Sequence, residues 1–147
     1  MRKQGLLSVE TEIEVAFHDI DLARVTWHGH YMKYLENARW ALMDRIGYGL
    51  ETMLASDEGF PIVGLQVKFI RVSRYKDRLR VLASLIEWRS RLVINYLVTD
   101  CANGQRVARA QTTQLAVDIR TGTMLFELPP AFVARAEAAF AQVDLSG

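Results

Sequence analysis

The sequence predicts an α+β domain: one long helix laid against a five-stranded antiparallel sheet, with an amphipathic helix at the C-terminal end. Three observations carry this. The hydrophobic period runs at two, changes to 3.6 over one stretch and returns to two. Residues 65–103 contain neither Gly nor Pro, as a run of strands broken only by polar turns requires. At 147 residues, half of them apolar, the chain has the length and core-forming content of one globular domain, so residues 1–147 are read as a single unit.

Each element follows in order. Ile13, Val15 and Phe17 alternate with Glu12 and Glu14, giving an N-terminal strand. Tyr31, Tyr34, Leu35, Ala38, Leu42, Arg45 and Ile46 then fall on one helical stripe, with Lys33, Glu36, Asn37, Trp40 and Asp44 off it, so this helix faces a sheet. Gly47 and Gly49 close it, and Leu50 to Ala55 can add a short helical turn. From Pro61, Val63, Leu65, Val67 and Phe69 form one face of a strand. Leu79, Val81, Ala83 and Leu85 form a second face, and Leu92, Ile94, Tyr96 and Val98 a third. Asn103-Gly104 is a hairpin turn, and Val107 to Asp118 reads as one long strand beyond it. A meander is the simplest joining of these strands. After Pro129 and Pro130, Phe132, Ala136, Ala139, Phe140 and Val143 describe an amphipathic C-terminal helix. One helix covers only one face of a sheet, so the other face calls for the C-terminal helix or a second copy, and at least a dimer is expected.

Composition narrows the function classes. Eighteen basic and seventeen acidic side chains leave a net charge of +1, which gives no overall field to hold nucleic acid. No apolar stretch approaches the ~20 residues of a membrane-spanning helix. The opening from Met1 runs into Glu10, Glu12 and Glu14 before any leader-like apolar stretch, and Cys101 is the lone cysteine. Both lead to the expectation of a reduced, cytoplasmic protein. There is no G-x-S-x-G elbow, no phosphate-binding G-x-x-x-x-G-K and no C-x-x-C pair.

Chemistry concentrates between Phe17 and Tyr31, which holds all three histidines, His18, His28 and His30, and two close carboxylates, Asp19 and Asp21. The stretch lies where a strand ends and the long helix begins. The backbone N–H groups near His28, Gly29 and His30 have no helical acceptor and carry the positive end of the helix dipole. A carboxylate beside such amides can act as general base or nucleophile on an acyl carbonyl while the amides hold the oxygen as it becomes negative. Two other readings fit the same residues: Asp19 or Asp21 caps the loop while the histidines are solvated, or the cluster binds a divalent metal. The divergent spacing of His28 and His30 weighs against the metal. A basic group, Lys68, Arg71, Arg74, Lys76 and Arg78, follows the strand that starts at Pro61 and suits either a solvated turn or the phosphates of a charged handle such as coenzyme A.

Phe17-His-Asp-Ile-Asp21, Trp27-His-Gly-His-Tyr31, Tyr34-Leu-Glu-Asn-Ala-Arg39, Val67-Lys-Phe-Ile-Arg71, Tyr75-Lys-Asp-Arg-Leu79 and Ala110-Gln-Thr-Thr113 together resemble the signature of hot-dog-fold acyl-CoA thioesterases of the 4-hydroxybenzoyl-CoA thioesterase type. The resemblance spans roughly residues 11 to 128. It implies a hot-dog fold, a long central helix wrapped by a five-stranded antiparallel sheet, paired in a homodimer or a dimer-of-dimers tetramer with active sites at the subunit interface. It implies hydrolysis of an acyl- or aryl-CoA thioester with no metal and no cofactor; acyl carrier protein is an alternative carrier, and a non-catalytic acyl-binding or accessory protein the alternative function. Carried over residue by residue, the catalytic carboxylate falls on Asp21 and the carbonyl-polarising amide on His28, with Gly29 beside it and the His28 side chain in support. Tyr31 and Glu36 fall on the helix lining the acyl pocket, the Glu36 position contacting the ring hydroxyl in hydroxybenzoyl-specific members. Arg71, Arg74 and Lys76 remain the candidates for the coenzyme A phosphates. The chain departs from the family pattern at Leu22-Ala23-Arg24, where a small or Gly-rich turn is common, and at Lys76, where Gly is frequent.

Overall fold

The N-terminal strand β1 (Ser8–Glu14) leads through a short irregular stretch into the long helix α1 (Tyr31–Ile46), and a short helix α2 (Leu50–Ser56) follows. The strands are β2 (Glu58–Gly59), β3 (Ile62–Phe69), β4 (Arg78–Trp88), β5 (Leu92–Asp100), β6 (Arg106–Gln114), β7 (Val117–Asp118) and β8 (Thr123–Met124), and α3 (Pro130–Ser146) closes the chain. This computed structural model describes residues 6–146, and side chains as far as Val143; the opening Met1 to Gly5, read above for a leader, lies outside the described residues.

α1 forms where the stripe predicts and buries Tyr31, Tyr34, Leu35, Ala38, Leu42 and Ile46. Arg39 and Met43 are buried as well, whereas Arg45 is exposed. The stripe is one residue wider on the Arg39 side than the apolar pattern marked. Gly47 ends the helix at φ +85°, a left-handed conformation that costs a glycine little, and its own amide and that of Tyr48 return to the carbonyls of Asp44 and Met43. The buried side of α1 packs on the alternate residues Leu79, Val81, Ala83 and Leu85 of β4 and Leu92, Ile94, Tyr96 and Val98 of β5, which form one continuous core with it. Burial of this kind contributes roughly 25 cal/mol for each Å² of apolar surface removed from water. α3 adds a second cluster at the far end of α1. There Phe132 packs edge-on to Tyr48 and Phe60, and Phe140 stacks on Trp88 at 4.8 Å.

The five main strands are antiparallel in the order β1-β4-β5-β6-β3. β4, β5 and β6 are the expected meander, but β3 is not its neighbour in that run. It crosses to the far edge and pairs with β6, Val67 opposite Ala110, while β1 takes the place beside β4, Thr11 opposite Val81. The expected strand from Val107 to Asp118 breaks after Gln114, and its last two residues join β2 and β8 in a small second sheet. The N-terminal strand ends at Glu14, so Phe17 lies in a 3-10 turn and is 70% exposed instead of alternating inward.

The two sheet edges differ in chemistry. β1 carries Glu10, Glu12 and Glu14, which pair with Arg78 and Arg80 of β4. β3 and the linker after it expose Val63, Leu65, Phe69, Ile70 and Val72 along an edge with no strand beyond it.

Candidate active site

Two segments that are distant in sequence run side by side at the start of α1. Val15 and Asp77 are joined by a backbone hydrogen bond of 2.9 Å, Lys76 and Val15 by one of 3.0 Å, and Thr26 and Ser73 by one of 2.8 Å. Between the loop 20–30 and the linker 69–72 they enclose a cavity of about 400 Å³ lined by Asp21, Val25, Thr26, His28, Tyr31, Phe69, Ile70, Arg71 and Val72.

Asp21 stands at the mouth of a tight hairpin. Ile20 and Thr26 form a β-bridge, and the Asp21 amide donates to the Val25 carbonyl at 2.9 Å. Oδ1 of Asp21 accepts the Ala23 amide at 2.8 Å, a local side-chain turn that fixes the carboxylate's direction. The capping reading is therefore correct for one oxygen. Oδ2 has no hydrogen-bond partner among the described residues, and Asp21 is one of the residues that line the cavity. Both departures from the family pattern are non-glycine residues in left-handed backbone: Arg24 at φ +65° in this hairpin and Lys76 at φ +74° in the turn opposite.

Asp19, two residues earlier, is buried and does something different. Lys33 donates to its Oδ1 at 2.5 Å and Tyr34 to its Oδ2 at 2.7 Å; His18 and His30 each approach Oδ1 at 3.8 Å. Burial alone would raise this carboxyl's pKa, but the Lys33 and Tyr34 hydrogen bonds and the charges of Lys33 and His30 outweigh it and hold the pKa below the ordinary aspartate value. Burial, with the adjacent Asp19 carboxylate, pushes the Tyr34 phenol far up. Asp19 fastens the loop to α1, and its backbone carbonyl accepts the Trp27 amide at 2.9 Å.

The turn His28–His30 precedes α1 directly. Among the described residues the amides of His28 and Gly29 have no acceptor, while that of His30 donates to the Trp27 carbonyl at 2.9 Å, so two free donors remain where three were expected. The Trp27 ring lies over Gly29, where any Cβ would run into it, and it is flanked by the rings of His28 and His30 at 5.2 Å each. Phe69, from the open strand β3, packs edge-on to His28 at 6.2 Å and to Tyr31 at 5.4 Å.

Four sequence candidates thus line one cavity: Asp21, His28, Tyr31 and Arg71. Gly29 is not in the lining and neighbours it only in sequence, next to His28. Glu36 lies outside the lining, with Oε1 accepting from Arg39 at 2.5 Å and Oε2 from Trp40 at 3.3 Å. The basic group is dispersed. The Arg74 amide is held by Asp77 Oδ2 at 2.8 Å, the Lys76 ammonium sits 5.4 Å from the Tyr75 ring centre, and Arg78 pairs with Glu12 and Glu14. Phe60 and Trp88 belong to the core at the other end of α1, away from the cavity. No three His, Cys, Asp or Glu side chains among the described residues stand together as a metal site requires. Sequence reading missed Thr26 and Ser73 altogether; they are paired side chains 47 positions apart, and neither carries a local motif.

The profile of the thioesterase-like superfamily matches residues 15–136 of the chain. The chain belongs to the thioesterase-like superfamily. Solved structures share the fold over nearly the whole length. The 1,4-dihydroxy-2-naphthoyl-CoA thioesterase Slr0204 of Synechocystis is 20% identical, with 93% of this chain and 98% of that one covered at a TM-score of 0.79. The DHNA-CoA thioesterase of Staphylococcus aureus, also 20% identical, covers 94% and 91% at 0.81. A variant of 4-hydroxybenzoyl-CoA thioesterase complexed with 4-hydroxybenzoyl-CoA is 22% identical and covers 88% and 99% at 0.75. The helix-and-sheet arrangement of this superfamily member is therefore the hot-dog fold that the sequence resemblance implied.

Proposed function

We propose that the chain hydrolyses an acyl- or aryl-CoA to the free acid and coenzyme A, with Asp21 as its catalytic carboxylate. One observation carries this reading: the Asp21 carboxylate and His28, whose amide and that of Gly29 are free, border the same cavity at the positive end of α1. A thioester carbonyl placed there accepts those amides. As general base, Asp21 takes a proton from water and the hydroxide adds to the carbonyl carbon; as nucleophile, its oxygen adds directly and water later cleaves the acyl-enzyme anhydride. Either way the tetrahedral oxyanion is held by the amides, the C–S bond breaks, and the thiolate of coenzyme A leaves and takes up a proton. Each amide of such a pair is worth about 10²–10³ in rate.

The His28 side chain and Tyr31 form walls beside the reacting carbon. Arg71 is the cation nearest the cavity, and Arg74 and Lys76 continue the positive charge along the linker toward the phosphates. The Phe69–Val72 wall of the cavity continues from the exposed apolar edge of β3. We take that edge as the seam where a second copy pairs strand to strand, closing the pocket. A dimer-of-dimers built from such pairs is the larger assembly in this reading.

The deciding experiment is a thioester panel, with aryl, short and long acyl groups on coenzyme A and on acyl carrier protein, against wild type and Asp21→Asn. Turnover of coenzyme A esters that the variant loses supports the proposal. Turnover restricted to carrier-protein esters moves the substrate, and binding without turnover by the wild type assigns an accessory role instead.

A further inference from the structure

The turn that carries the two free amides is bracketed by two buried hydroxyls, and both are tied to one residue on the opposite wall of the cavity. Thr26 lies two residues before His28, and Tyr31 directly follows His30. Ser73 lies in the β3–β4 linker, immediately after Val72, whose side of the linker lines the cavity. Ser73 is 1% exposed, Thr26 6% and Tyr31 3%.

Their hydrogen bonds run in one direction. Thr26 Oγ1 donates to the Ser73 carbonyl at 3.2 Å, so its single proton is used. The 2.6 Å contact between Thr26 Oγ1 and Ser73 Oγ must then be donated by Ser73, and the 2.7 Å contact between Ser73 Oγ and Tyr31 Oη by Tyr31. The relay Tyr31 to Ser73 to Thr26 to the Ser73 carbonyl leaves no hydroxyl proton unplaced, and a buried chain of this kind strengthens each of its links. Burial pushes the Tyr31 pKa up, which keeps the phenol protonated as the donor at the head of the chain. The backbone bond from the Thr26 amide to the Ser73 carbonyl, 2.8 Å, runs parallel to it.

We propose that Thr26, Ser73 and Tyr31 form a positioning device that fixes the His28–Gly29 amides relative to the linker wall, and through the Ile20–Thr26 bridge relative to the Asp21 hairpin. The claim rests on the thioesterase reading for its consequence in catalysis. Thr26 and Tyr31 line the cavity, but their hydroxyls are engaged with Ser73 and so act through the turn and not on the thioester. Their effect is on geometry: a donor pair displaced by a fraction of an ångström still binds substrate but no longer meets the oxyanion, so the loss falls on kcat. The chemistry of the anchors is specific to hydroxyls, since a valine in place of Thr26 keeps the volume and removes both Oγ1 bonds.

The test compares Thr26→Val, Thr26→Ser, Tyr31→Phe and wild type with benzoyl-CoA and hexanoyl-CoA. The expected result is a kcat lowered about tenfold or more in Thr26→Val and Tyr31→Phe with KM within about threefold, and recovery to near wild-type turnover in Thr26→Ser. Amide hydrogen exchange of the folded proteins gives a second readout that needs no substrate: His30, whose amide is bonded within the turn, exchanges faster in Thr26→Val and in Tyr31→Phe than in wild type. Equal kcat across the set, or a proportional rise of KM with kcat unchanged, overturns the proposal, as does unchanged His30 exchange in both variants. A wild type inert toward every thioester sinks the proposed function instead, and the exchange data still decide whether the hydroxyls hold the turn.

Discussion

Tyr34 and Asp19 meet through a 2.7 Å hydrogen bond from the phenol to Oδ2, which pins the loop carrying the catalytic candidates to the first turn of α1. The bond joins a neutral donor to a buried charge, a pairing worth about 1.5–3 kcal/mol. Tyr34→Phe is expected to lower stability by about that amount in denaturant unfolding while leaving the fold intact. A loss below about 0.5 kcal/mol would show that Lys33 alone suffices to hold the carboxylate.

The same pair sets a pH dependence at both ends. Asp19 has a folded pKa below its unfolded one, so the folded state binds fewer protons there; the stabilisation is complete above the ordinary aspartate range, about pH 4, and is lost as pH falls through the lower folded value. Tyr34 has the opposite sign. Its contribution is complete below the ordinary tyrosine value, about pH 10, and is lost as pH climbs above it. Thermal unfolding followed from pH 2 to 11 should show both limbs, with the acid limb flattened in Asp19→Asn and the alkaline one in Tyr34→Phe.

Asp21→Asn retains the oxygen that accepts the Ala23 amide, so the hairpin keeps its turn while the proposed base or nucleophile disappears. Turnover is expected to fall by at least about 10² with the melting temperature within a few degrees of wild type. Asp21→Ala removes the turn acceptor as well and should lose about 1 kcal/mol of stability in addition. Equal melting temperatures for the two variants would show that the Asx turn contributes nothing.

Gly29→Ala places a methyl group where the Trp27 ring lies. Trp27 is 47% exposed, so the ring can swing outward, and the expected cost is mainly in kcat, with a modest drop in stability of about 1 kcal/mol. Adding Trp27→Ala removes the obstruction. The double variant should regain turnover relative to Gly29→Ala alone; a double variant that is no better would mean that the amide itself, not the indole, needs the glycine.

Arg24 occupies left-handed backbone in an exposed hairpin, with its side chain unpaired among the described residues. Such a conformation costs a non-glycine residue about 1–2 kcal/mol, partly offset by the flexibility glycine brings to the unfolded chain. Arg24→Gly is expected to stabilise by about 0.5–1 kcal/mol in urea unfolding, and a destabilised variant would reveal a role for the guanidinium.

Much of this was legible beforehand because it depends on local periodicity. The α1 stripe, the alternation in β4 and β5 and the crowding between Phe17 and Tyr31 are all short-range patterns, and each marks the element it should. The place of β3 was not legible: an apolar alternating strand looks the same in the centre of a sheet and at an open edge, and only the pairing of Val67 with Ala110 decides it. Asp19 and Asp21 are alike in sequence, two residues apart, and their separation into a buried anchor and a cavity carboxylate depends on Lys33 and Tyr34 one helix away. Lys76 sits against the Tyr75 ring and Arg78 pairs with Glu12, partners that charge counting cannot rank.

The unlike borders of the main sheet bear on how large an assembly can grow. A ribbon with two sticky rims polymerises without limit, whereas here one rim is studded with acids already engaged by Arg78 and Arg80. In the proposed pairing of two copies along the apolar rim, association closes after one two-fold step, giving a ten-stranded sheet and no fibre. A lysine introduced at Leu65 should split that unit into single chains, and light scattering on the variant would read it directly.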